Sequence, residues 1–86
     1  MEVEFTFEAL ADLKHWKKTN NSAILKRIRL LIESISETPF EGTGKPEPLK
    51  YNLKGCWSRR INKEHRIVYE VMDKKIIIHS LQGHYL

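Results

Sequence analysis

A single cysteine, Cys56, stands in these 86 residues, which excludes an internal disulfide and a zinc site built of cysteines. All 3 prolines, Pro39, Pro46 and Pro48, fall in one short stretch, so the segments on either side carry none. No apolar run approaches the roughly 18 residues of a membrane-crossing helix, and no membrane association is expected. The start, Met1-Glu2-Val3-Glu4, is acidic and lacks the basic region and apolar stretch of a secretion signal, so a cytoplasmic location is expected. Repeats, low-complexity tracts and linkers are absent. A single domain over residues 1–86 is expected, near the small end of what folds unaided, with 41% hydrophobic residues for a modest core.

Charge is unevenly spread around a formal net of +4. Residues 1–43 carry 6 Lys/Arg against 7 Asp/Glu, and residues 44–86 carry 9 against 4. A basic second half fits a face made for phosphates, and fits a solvated surface equally well.

The first half reads as helical. Val3, Phe5 and Phe7 alternate with polar residues, as in a short half-buried strand. Thr6 can cap a helix through about Lys18, with Ala9, Leu10, Leu13 and Trp16 at three- and four-residue spacing. Asn20 or Asn21 caps a second helix, whose stripe of Ile24, Ile28, Leu31, Ile32 and Ile35 is the cleanest periodic signal in the chain. Lys26, Arg27 and Arg29 lie off that stripe. Pro39 and the Gly/Pro cluster from Gly42 to Pro48 then end the helical half.

Beyond the cluster the period becomes two. A weak strand is expected over 49–53, a turn at Gly55, and strands over 57–62, 65–72 and 75–81. Asp73-Lys74 joins the last two as an antiparallel hairpin. Connections this short leave no room for crossover helices. The predicted fold is α+β: two N-terminal helices packed on one face of a small, mainly antiparallel twisted sheet. Alternation puts Ile67, Tyr69 and Val71 toward the core and Arg66 on the other face. It groups Arg59 with Trp57 and Ile61 as a packing residue, leaving Arg60 and Arg66 for an exposed basic face, unless a bulge reverses the order.

Glu47 is the only acid between Gly42 and Lys63, and Pro46 and Pro48 flank it. Proline fixes its own φ and pushes the preceding residue out of the helical region, so this carboxylate is displayed on a stiff, extended backbone. Alone, it reads as an exposed loop residue pairing with Lys45 or Lys50. Of His15, His65, His79 and His84, no pair has helical metal-ligand spacing, so no metal site is expected. His79 reads as a satisfied sheet residue and His65 as a residue at the core edge. Alone, His84 near the end of the chain reads as a terminal residue without a role; the alternative is that the terminus brings it to the loop and the arginines. Histidine titrates near neutrality and can donate a proton to a leaving oxygen. A base, a cation and an acid suit cleavage of RNA by its own 2′-hydroxyl, with Arg66 offering its planar fork to the phosphate.

The segments Thr38 to Lys50 (TPFEGTGKPEPLK), Trp57 to Ile61 (WSRRI), Glu64 to Tyr69 (EHRIVY) and the ending Gly83-His84-Tyr85-Leu86 resemble the YoeB/Txe family of bacterial toxins, within the wider RelE-like group. The resemblance spans nearly the whole chain. It implies a RelE-like fold and a metal-independent endoribonuclease, without cofactor, that cuts messenger RNA in the ribosomal A site and so inhibits translation. It implies Glu47, Arg66 and His84 as the catalytic set. Tyr85 matches a substrate-stacking tyrosine, and Lys50 and Arg60 match positions that help hold phosphate. Whether Glu47 or a lysine takes the proton stays open. Implied partners are the ribosome, messenger RNA and a cognate YefM/Phd-like antitoxin with an acidic disordered tail. DNA contact would come only through the antitoxin complex, since no helix-turn-helix is present; a homodimer is also open. The chain departs from the family at Leu86, which follows Tyr85, at Gln82, where a basic residue is common, and at Gly83, where an aromatic often precedes the histidine. A non-catalytic module gripping RNA or ribosome, or a regulatory partner active only within an antitoxin complex, remains the alternative.

Overall fold

Thr6 divides a strand from a helix and ties both to the far end of the chain. In the computed structural model, which describes residues 1–83, strand β1 spans Glu2–Phe5 and helix α1 spans Phe7–Lys18. The Thr6 hydroxyl accepts a hydrogen bond from the Ala9 amide at 3.1 Å, satisfying a helix-start donor, and donates to the His79 carbonyl at 3.0 Å. Helix α2, Ser22–Glu37, is capped by Asn21, whose side chain accepts from the Ile24 amide. Asn20 instead takes a positive φ in the turn between the helices.

Strand β2 is only Glu47–Pro48, followed by a 3-10 turn at Tyr51–Leu53 and by β3 (Cys56–Arg60), β4 (Arg66–Met72) and β5 (Lys75–Ser80). The five strands form one sheet in the order β1-β5-β4-β3-β2. All pairings are antiparallel except β1 with β5, which is parallel. The α+β architecture expected from the sequence is therefore observed, as a mixed sheet. Asp73 and Lys74, both at positive φ, make the β4–β5 hairpin turn.

The α2 stripe of Ile24, Ile28, Leu31 and Ile35 is buried against Ile67, Tyr69, Ile76 and Ile78 of the sheet, joined by Ala9 and Trp16 of α1. This one cluster forms the core among the described residues. Local expectations fail in three places. The 49–53 segment is a 3-10 turn, and pairing with β3 begins earlier, at Glu47. Phe7, expected to continue the first strand, opens α1 and is 91% exposed. Leu10 likewise points outward. Neither side chain is needed to close the core, because Ala9, Leu13 and Trp16 already fill that side.

The loop between α2 and β2 is stapled from beneath by Arg59, which is fully buried. Its guanidinium donates to the carbonyls of Thr38, Glu41 and Thr43, to the Ser34 hydroxyl at 2.7 Å and to the Tyr69 hydroxyl at 3.1 Å. Tyr69 passes a further bond to the Pro39 carbonyl at 2.6 Å. Burial pushes the Tyr69 phenol up, against the lowering effect of the Arg59 hydrogen bond and charge, so it stays a donor. Gly44 lies so close to α2 and β3 that a Cβ would come within 2.9 Å of Leu31 Cδ2 and 3.2 Å of Arg59 Cβ, at a φ of +90°. Only glycine fits there.

Candidate active site

Rungs of residues on the sheet face away from the helices build the site. Cys56, Ser58 and Arg60 on β3 stand opposite Glu70, Val68 and Arg66 on β4. Glu47, on the edge strand, pairs in register with Ser58. Glu47 and Arg66 are thereby neighbours across Ser58, and an Arg66 guanidinium nitrogen, Nη2, lies 3.7 Å from the Glu47 carboxylate.

The two partners sit in different surroundings. The Glu47 side chain is 54% exposed, whereas Arg66 as a residue is only 7% exposed. Arg66 was expected on an exposed basic face. Alternation assigned the correct face, but that face is itself covered around Ser58, Arg66 and Val68, all of which are buried. The Arg66 Nε donates to Ser58 Oγ at 2.8 Å, which fixes the plane of the guanidinium. Its Nη2 is buried and makes no hydrogen bond among the described residues. Buried donors are nearly always paired, so a donor left over beside a carboxylate marks a place where an anion can be received.

Arg60 is exposed and is the register partner of Arg66. Its amide donates to the Gly44 carbonyl at 2.7 Å, and its carbonyl accepts from Arg27 Nη2 at 3.1 Å. Its backbone is thus fixed while its side chain stays on the surface. Lys50 is also exposed, at the start of the 3-10 turn. Arg59 is the packing residue that alternation indicated.

His84 and Tyr85 lie outside the described residues. The chain leading to them is tethered at four points. The Leu81 amide donates to Asp12 Oδ2, and the Leu81 carbonyl accepts from Trp16 Nε1, both at 2.9 Å. The Gly83 amide donates to His65 Nδ1 and the Gly83 carbonyl accepts from the Arg66 amide, both at 3.0 Å. His65 in turn stacks edge-on against Trp16 at 4.9 Å, at the core edge as expected. Gly83 is therefore fastened directly to the backbone of Arg66.

Ser58 and His65 belong to this arrangement and were missed as site residues. Ser58 could have been found, since alternation already grouped it with Arg60. The role of His65 depends on the return of residues 81–83 across the sheet, for which the sequence carries no local signal. On the loop side, Phe40 packs on Trp57 with ring centres 4.9 Å apart, bracing the segment that leads to Glu47. No helix among the described residues is long and apolar enough to cross a membrane.

A family model described as the YoeB-like toxin of bacterial type II toxin-antitoxin systems matches residues 5–85. Toxin YoeB of Synechocystis sp. is 51% identical over 85 residues, covering 99% of this chain and 98% of the relative. The solved YoeB/ParE toxin from Agrobacterium tumefaciens is 38% identical, with a TM-score of 0.94 over 99% of this chain and 100% of that one. A chain of the YoeB-YefM complex from Staphylococcus aureus is 45% identical, with a TM-score of 0.89 over 99% of this chain and 98% of its own. YoeB of the same organism, solved as a dimer, is 44% identical, with a TM-score of 0.90 over the same shares. With sequence and fold matched from end to end, and a lone carboxylate poised beside a buried arginine, the chain belongs to the YoeB-like toxin family of bacterial type II toxin-antitoxin systems.

Proposed function

We propose that this toxin is an endoribonuclease that cuts messenger RNA in the ribosomal A site, with the RNA's own 2′-hydroxyl as nucleophile. The observation that carries the reading is the buried Arg66 guanidinium, oriented by Ser58, whose Nη2 makes no hydrogen bond among the described residues and lies 3.7 Å from the Glu47 carboxylate.

Each residue of the set has one role in that reaction. Glu47 receives the 2′-hydroxyl proton as the 2′-oxygen bonds to phosphorus. Arg66 donates to a non-bridging oxygen as the phosphate gains negative charge. His84 gives a proton to the departing 5′-oxygen as its bond to phosphorus breaks. Gly83, the residue that precedes His84 in the sequence, accepts a hydrogen bond from the Arg66 amide, which supports this assignment. Tyr85 stacks on the substrate, while Arg60 and Lys50 bind neighbouring phosphates. Carboxylates are weak bases at neutral pH, so much of the acceleration must come from alignment for in-line attack. A ribosome that presents the strand in one conformation supplies it.

Purified toxin should leave naked RNA largely intact and cut it on translating ribosomes, yielding a 2′,3′-cyclic or 3′-phosphate and a 5′-hydroxyl. Mapping of RNA ends after expression of wild type and Glu47→Ala tests this, with cuts expected only from wild type. Equal cleavage of naked RNA, or 5′-phosphate products, would rule the mechanism out. Intact RNA on an inhibited ribosome would point instead to a non-catalytic blocker.

The inhibitory partner is a cognate YefM-like antitoxin whose acidic, initially disordered segment folds over the basic face and covers the site. Support comes from the Staphylococcus aureus relative, solved with YefM, and from the positive second half of this chain. Affinity should fall as salt rises, and hydrogen exchange should slow around Glu47, Arg60 and Arg66 in the complex. Protection confined to α1 and α2 would mean inhibition by a route other than covering the site.

A further inference from the structure

Cys56, Glu70 and His79 stand on three adjacent strands, yet their donor atoms (Sγ, a carboxylate oxygen and an imidazole nitrogen) lie within 4.8 Å of one another. Two features of the sheet bring them together. Cys56 and Glu70 are direct partners in the β3–β4 register. In the β4–β5 register Tyr69 pairs with Ile78 and Val68 with Ser80, so His79 is the extra residue of a bulge. The bulge puts both His79 and Ser80 on the open face, beside Glu70, where they line a concavity of about 530 Å³. His79 Nε2 already lies 2.9 Å from Glu70 Oε1.

We propose that Cys56, Glu70 and His79 form a binding site for a divalent transition-metal ion of the zinc class. A thiolate, an imidazole and a carboxylate suit zinc and its neighbours, whereas magnesium and calcium take oxygen ligands. Tetrahedral zinc, with bonds of about 2.0–2.3 Å, sets its ligand atoms roughly 3.4–3.6 Å apart. Reaching that from separations within 4.8 Å takes about an ångström of side-chain movement, with His79 Nε2 and Glu70 Oε1 drawing apart from 2.9 Å. The Glu70 and His79 side chains, 30% and 37% exposed, have room to turn, while Cys56 is buried and fixed. Three protein ligands leave a fourth position facing the concavity, the arrangement of an ion that still binds water or another ligand.

Without an ion the cysteine is inert. Burial, and then the Glu70 charge, push the Cys56 thiol up, so it keeps its proton. A dication between them would displace that proton and turn the carboxylate from an unfavourable neighbour into a co-ligand. The ion would also pin β3, β4 and β5 together two residues from Ser58, the residue that orients Arg66. Rules based on helical ligand spacing do not find this set, because strand pairing alone assembles it.

The test uses full-length toxin, stripped of metal with a chelator, kept reduced and titrated with Zn2+ and separately with Co2+. One equivalent of zinc should bind and raise the thermal midpoint. The cobalt form should show tetrahedral visible bands and a thiolate-to-cobalt charge-transfer band in the near ultraviolet. Cys56→Ser should remove the charge-transfer band. It and His79→Gln should each weaken zinc at least about 100-fold, since even loss of an outer-shell partner costs 10–100-fold. His79→Gln changes a partly exposed residue and keeps a hydrogen-bonding group toward Glu70, so it remains informative if Cys56→Ser fails to fold. The absence of stoichiometric binding would overturn the proposal. So would binding that both variants leave unchanged, which would assign the ion to other histidines.

Discussion

Arg66→Ala should slow RNA cleavage on programmed ribosomes by about 10²–10³-fold, the usual loss when one donor to a developing oxyanion is removed. Arg66→Lys should recover little. A lysine ammonium is a point donor and cannot hold the Ser58 hydroxyl while presenting a second N–H to the phosphate in a fixed plane. Ser58→Ala tests the same geometry from the other side and should give a smaller loss, because it frees the guanidinium without removing it. Single-turnover rates are the measurement, alongside antitoxin binding to confirm a folded chain. A near-normal rate in Arg66→Ala would transfer the phosphate-binding role to Arg60 or Lys50, both exposed on the surface.

Arg59→Met should produce the largest stability loss of any single change in the sheet, about 3–5 kcal/mol, as when one member of a buried charged network is removed. Methionine fills much of the volume but donates nothing. The carbonyls of Thr38, Glu41 and Thr43 and the hydroxyls of Ser34 and Tyr69 would each lose the Arg59 bond at once, leaving Thr38, Glu41 and Tyr69 only their bonds within the loop and to Pro39. Buried acceptors left unpaired cost about 1–3 kcal/mol each, less where the loosened loop admits water. A fall in the urea midpoint with an unchanged slope is expected. Hydrogen exchange should quicken over residues 38–46, and cleavage should fall as well, because Glu47 follows directly on that loop. A stability near wild type would mean that the Phe40–Trp57 contact and the Gly44–Arg60 bond hold the loop by themselves.

Features encoded by neighbouring residues were legible. The α2 stripe, the Thr6 cap, the Asp73-Lys74 hairpin and the sorting of Arg59 from Arg60 all follow from a period of 3.6 or of 2, or from one cap or turn. Glu47 stood out because two prolines flank a lone acid, and its resemblance to a known motif assigned the same residue. Limits appeared wherever a contact joined distant parts of the chain. Residues 49–53 alternate weakly enough to pass for a strand. Pairing with β3 nevertheless starts at Glu47, since the Arg59 staple delivers the loop to the sheet edge at that point.

By itself, then, the sequence determined the α+β class, the two helices with their core stripe and the face to which each arginine belongs, while the family resemblance named Glu47 and Arg66 together. Tertiary structure alone decided that β1 lies parallel to β5, that Arg66 is buried on its face beside Ser58 and Val68, and that Gly83 is fastened to His65 and Arg66. It also decided that Cys56, Glu70 and His79 converge. The physical reason is the same in each case. Periodicity states which way a side chain points relative to its own backbone. What it meets there depends on which distant strand closes against it, and on bulges such as the one at His79 that shift the register by one residue.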